Sequence, residues 1–175
     1  MVRLLYIAIL LHYAAAATAQ SSVLSVGKWY KLAVDRDGVY RITRDQFSKM
    51  GFNPASVDPR KIKIYGLPGG MLRQENSIER PSDPIELSIL VTGESDGVFN
   101  SGDYILFYAE GPHRSEFIAE KNVFFIEQNL YADENFYFVT VSDTDGKRVQ
   151  TDDAGSGGIP VSTFRDFVRH EVDQH

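Results

Sequence analysis

The chain has 175 residues, a formal charge of −6, a mean hydropathy of −0.23 and no cysteine. Without cysteine it holds no disulfide, no thiolate metal site and no Cys nucleophile. The acidic balance lacks the Lys/Arg clusters that nucleic acid or an anionic membrane surface requires, so neither is expected as a partner.

In chain order, Met1-Val2-Arg3 and the apolar run Leu4 to Leu11 are followed by Ala17-Thr18-Ala19-Gln20. This is the n-region, h-region and A-x-A exit of a secretory signal, with cleavage expected between Ala19 and Gln20. The apolar run is too short to span a bilayer, which takes roughly 20 residues. No transmembrane segment is expected in the mature chain. Cleavage leaves 156 of the 175 residues and moves the formal charge from −6 to −7. That is enough for one domain of ordinary size, expected over residues 20–151.

Lys28 to Val34 alternates polar and apolar residues, as does Val39 to Ile42. The intervening Asp35-Arg36-Asp37-Gly38 predicts a hairpin, because Asp-Gly tolerates positive φ at both central positions of a tight turn. Thr43 with Gln46 three residues on, and Gly51 beyond, predicts a short capped helix near residues 44–50 with Phe47 and Met50 inward. Asn53 to Pro59 reads as a loop, Ile62 to Tyr65 as a strand, and residues 71–84 as a polar surface excursion. Ile85 to Val91 and Tyr104 to Tyr108 read as strands apolar on both faces. Glu110 to Glu120 reads as a polar loop, with Val123 to Ile126 and Asn135 to Val141 as further strands. The turn Asp143 to Gly146 leads towards Lys147-Arg148-Val149. The fold class expected is mainly β, an antiparallel sandwich with one short helix. Residues 152–160 have linker composition. Residues 161–175 read as the start of a following element, and Phe164 to Val172 fits a strand or a helix. The chain is expected to be the front of something longer.

Several segments together resemble the N-terminal region of the PorU-type sortases of the type IX secretion system, relatives of the gingipain cysteine peptidases. They are Gly27-Lys28-Trp29-Tyr30-Lys31, Asp37 to Ile42, Ile62 to Gly66, Gly93 to Phe99, Gly102 to Tyr108, Asn129-Leu130-Tyr131 and Asn135 to Phe138, in that order. The resemblance implies a module of a longer protein exported to the periplasm or outer-membrane surface of a Gram-negative bacterium. There the full-length family removes C-terminal sorting domains from cargo and joins the cargo to lipopolysaccharide. Its Cys/His peptidase domain lies downstream of the matched region, so no catalytic residue carries over. The implied role is a non-catalytic accessory domain whose partners are a downstream peptidase domain or other secretion components. The alternative is a free-standing secreted sandwich that binds glycan or protein.

Thr92 to Asp103 has EF-hand-like spacing, with oxygen ligands at Glu94, Asp96, Asn100 and Asp103 and glycine at Gly97. Thr92 is a poor first ligand, Asp103 is a methylene shorter than the usual Glu, and strands flank the segment. We therefore read a tight acidic turn in which Asp96 and Asn100 cap backbone N–H groups, with calcium as the alternative and no cofactor otherwise. Asp35 and Asp37 belong to the predicted hairpin turn. His113, His170 and His175 have no serine context or His-x-x-x-His spacing, so they read as solvent-facing rather than as catalytic bases or zinc ligands.

Overall fold

The structure, a computed structural model, describes residues 21–72, 75, 77–79, 81–151 and 162–163. The signal with its Ala19/Gln20 cleavage site, the linker and the 164–172 segment lie outside the described residues.

Among the described residues, nine strands and one α-helix build two open antiparallel sheets and a separate hairpin. The strands are β1 (Trp29–Val34), β2 (Gly38–Thr43), β3 (Ile62–Gly66), β4 (Ile85–Glu86), β5 (Leu90–Val91), β6 (Tyr104–Ala109), β7 (Arg114–Ile118), β8 (Val123–Glu127) and β9 (Asn135–Val141). One sheet has the order β1-β9-β3-β4, the other β2-β6-β5, and β7 pairs with β8. The fold is mostly β, as the alternation implied, and the sheets do not close into a barrel.

The core fills the space between the sheets. Val34, Ile62, Ile64, Tyr137 and Val139 come from the first sheet and Ile42, Val91, Ile105, Phe107 and Ala109 from the second. The helix α1 (Arg44–Lys49) has both arms of the expected capping box. Gln46 N–H donates to the Thr43 hydroxyl, and the Gln46 side chain reaches back to Thr43 N–H. Gly51, at φ +86°, takes the left-handed position after the helix, where a side chain would be strained. Phe47 is fully buried, stacked on Phe52 at 4.7 Å and edge-on to Phe99 at 5.5 Å.

Four expectations are corrected. First, β1 and β2 do not form a hairpin. β1 pairs with β9, Trp29 opposite Thr140, and β2 pairs with β6, Ile42 opposite Ile105. Neither Asp37 nor Gly38 has positive φ, so the primed turn that Asp-Gly favours is not made. Asp37 instead accepts a hydrogen bond from Gly111 N–H at 2.7 Å, and Tyr40 Oη donates to Arg36 O at 3.0 Å. These bonds turn the chain from one sheet into the other.

Second, Ile85 to Val91 is two short strands. β4 pairs with β3 and β5 with β6, and the fully buried Ile89 marks the crossing between sheets. Arg148 makes an isolated parallel bridge to Ile89.

Third, β6 is not apolar on both sides. Ile105, Phe107 and Ala109 are buried while Tyr108 is 56% exposed, the period-2 pattern of a sheet with one wet face. Fourth, the polar stretch 110–120 contains β7. It is a strand because β8 lies opposite it, Phe117 facing Phe124 and Ser115 facing Ile126. Pairing overrides a composition that reads as loop.

Candidate functional site

The acidic turn is the segment singled out for metal chemistry. Gly93 and Gly97, at φ +75° and +77°, bracket a 3-10 turn over Glu94–Asp96. Asp96 Oδ1 accepts from Val98 N–H at 2.9 Å, and its Oδ2 accepts from the Asn100 side-chain amide at 2.9 Å. Asp103 Oδ2 accepts from Asn100 N–H at 2.7 Å. The structure therefore brings Asp96, Asn100 and Asp103 together. Glu94 is engaged elsewhere, its Oε2 2.7 Å from Arg148 Nε. Thr92 is bonded through its hydroxyl to both Tyr104 N–H and Tyr104 O. Among the described residues no three His, Cys, Asp or Glu side chains are grouped to hold a metal ion. A calcium ion drawing on Glu94 competes with the Arg148 ion pair, and one on Asp96 or Asp103 shares oxygens that already accept N–H groups.

A second feature was not legible in the sequence. Two cavities of about 340 and 310 Å³ share Asp37, His113, Arg114 and Ser115. They form one cleft, polar beside Tyr108 and mostly apolar beside Ile126, where the β1–β2 connection, the loop after β3 and the start of β7 meet. Close backbone approach builds it. A Cβ on Gly69 would sit 2.3 Å from Gly111 O, and one on Gly111 would sit 2.7 Å from Arg36 Cα. Only glycine permits such contacts. Glu110 anchors the junction, its Oε2 accepting from Gly69 N–H at 2.6 Å.

Behind it the buried Tyr137 hydroxyl accepts from Glu110 N–H at 2.7 Å and donates to Glu110 O at 3.1 Å. Burial holds the Tyr137 phenol above its ordinary pKa. Asn135 Nδ2 donates to Leu67 O and Glu110 O. Tyr108 walls the cleft. Its phenol is raised by burial and then by the charges of Asp37 and Glu110. The signal in the sequence was the spacing of Gly66, Gly69 and Gly111, which composition alone does not assign to one place.

His113 lies in this cleft, half-buried rather than solvent-facing. Its Nδ1 accepts from Asn129 N–H at 3.1 Å, which places the ring proton of the neutral form on Nε2. A serine-type base needs the opposite arrangement, Nδ1–H donating to a carboxylate while Nε2 accepts from the nucleophile. Ser115 and Asp37 share the cleft, but that tautomer leaves neither in a relay. What the cleft offers is recognition chemistry: three carboxylates, two guanidinium groups and an aromatic face. Among the described residues no helix is long and apolar enough to cross a membrane.

A search of protein-family models matches none to this chain, and no curated protein matches it. Among solved structures, one similar to this chain is the crystal structure of dimeric latent PorU from Porphyromonas gingivalis. It aligns with a TM-score of 0.57 and 26% identity over 81% of this chain. The chain spans 12% of the length of that PorU. The similarity is to a PorU-like fold region.

Proposed function

We propose that this chain is a non-catalytic N-terminal accessory domain of a PorU-related, cell-surface sortase of a type IX secretion system. The observation that carries the reading is the alignment of 81% of this chain with 12% of PorU. It leaves most of such a protein, with room for a peptidase domain, beyond the matched region. The lack of cysteine supports the non-catalytic assignment, as does the His113 tautomer, which suits recognition and not proton transfer. On this reading the domain docks against or shields the peptidase domain, in the periplasm or at the outer-membrane surface.

A second reading, a free-standing secreted binding module, draws on the polar cleft beside Tyr108. The two separate by experiment. The reading frame past His175 is sequenced, and the purified chain is titrated with any Cys/His peptidase domain found there. We expect such a domain, and we expect it to bind. A frame that ends at His175 with no peptidase bound would favour the free-standing module. Cleavage of a sorting-signal peptide by the purified chain would remove the non-catalytic assignment under either reading.

A further inference from the structure

β1 and β2, which adjoin in sequence, are the edge strands of different sheets. Among the described residues each is paired on one side only, with a six-residue open edge. An edge of that length spans roughly 20 Å. Neither carries proline, and each pairs with its neighbour in unbroken register, so no bulge or ring blunts these edges.

Between them the sandwich is open along a groove of about 320 Å³, closed at one end by α1. Leu32 and Val34 from β1, Tyr40 and Ile42 from β2, and Phe107 from β6 line it. Leu32 and Val34, like Tyr40 and Ile42, stand two residues apart, the spacing at which an extended chain presents one face, and Ala33 and Arg41 between them also border the groove.

The charge at this seam departs from that of the chain. Across β1, β2 and α1 stand Lys31, Arg41, Arg44 and Lys49 against the single acid Asp45, in a protein of formal charge −6. Arg41 and Lys49 line the groove, and no acidic side chain does. Among the described residues the ion pairs involve neither of them.

We propose that the β1/β2 seam is a strand-addition site for an extended segment of a partner polypeptide, apolar at alternate positions and acidic between them. The segment pairs its backbone with an open edge, lays its apolar side chains into the groove and sets its carboxylates against Arg41 and Lys49. Main-chain bonds give such an interface its affinity and the alternate side chains its selectivity. The inference is independent of any peptidase domain and uses none of the polar-cleft residues.

The test titrates the full chain with the peptide acetyl-EVEVEVE-amide and with its lysine counterpart, acetyl-KVKVKVK-amide, while amide hydrogen exchange is followed by NMR. The acidic peptide is expected to bind at least about tenfold more tightly, as charge complementarity at a partly apolar site allows. Amides of β1 or β2 are expected to gain protection. In the doubly substituted chain R41E/K49E the preference is expected to invert. Both positions are solvent-facing, and the unmodified chain already tests selectivity through the two peptides. The proposal is overturned if neither peptide binds at millimolar concentration, if both bind equally, or if protection appears away from the seam. It is also overturned if the full chain forms a dimer that R41E/K49E dissolves, since the occupant is then a second copy.

Discussion

Tyr137 shows how much a single hydroxyl can organise. It is 2% exposed, and its oxygen closes two hydrogen bonds on the Glu110 backbone at the neck of the cleft. Tyr137→Phe keeps the ring and leaves Glu110 N–H without that acceptor, while Asn135 still serves Glu110 O. The expected cost is about 1–3 kcal/mol, the penalty for an unsatisfied polar group, read as a lower denaturant midpoint at unchanged slope. The acidic turn gives a second residue-scale test. If its carboxylates only cap, Asp96→Ala costs about 1 kcal/mol and millimolar calcium leaves the melting temperature unmoved. Calcium at a hundredfold excess over Kd would add about 2.7 kcal/mol and a shift of several degrees. We expect no shift. A calcium-dependent rise that disappears in Asp103→Ala would establish the metal reading instead.

At the scale of elements, what was legible is what neighbours in sequence decide. Thr43 and Gln46 are three residues apart, so the capping box is readable from the residues themselves, and Gly51 closes the helix as expected. Partner choice is different, because it is settled by residues far along the chain. Asp35 to Gly38 has a hairpin composition, yet Gly111, 74 residues beyond Asp37, supplies the bond that turns β1 away from β2. The strand β7 hid in a polar stretch for the same reason, since only β8 makes it a strand. The cleft was illegible because its glycines act through contacts between separate loops.

Two glycines at this crossing are expected to meet opposite fates. Gly38 has no positive φ, and a Cβ added there would have nothing within 4 Å. Gly38→Ala is therefore expected to be neutral or to stabilise by up to about 1 kcal/mol through the unfolded chain. A primed Asp-Gly turn would make the same change destabilising. In Gly111→Ala the new Cβ meets the Arg36 backbone at 2.7–2.9 Å, where no side chain can move aside. That change is expected to cost about 1–3 kcal/mol. Thermal unfolding of both variants decides the point, and equal losses would refute the description of the crossing.

Among the described residues the strands divide into a two-sheet sandwich and the β7–β8 hairpin, which pairs with neither sheet. β9 lies between β1 and β3, and β6 between β2 and β5, so both are paired on each side and back onto one core. β7 and β8 pair only with each other among the described residues, and Val123 and Phe125 are 48% and 54% exposed. A two-stranded hairpin has little stability of its own. Native-state hydrogen exchange is therefore expected to show two tiers. Amides of β9 and β6 should exchange only on global unfolding, at an opening energy in the range of about 5–15 kcal/mol usual for a domain. Those of β7 and β8 should exchange at least about a hundredfold faster through local opening, with a weaker dependence on denaturant. Equal protection in both tiers would mean that the hairpin belongs to the cooperative core. If the tiers are found, repeating the measurement with any downstream peptidase domain present tests the proposed docking role directly. Protection gained on β7 and β8 would place that domain on the hairpin, and protection unchanged there would move the contact to another face.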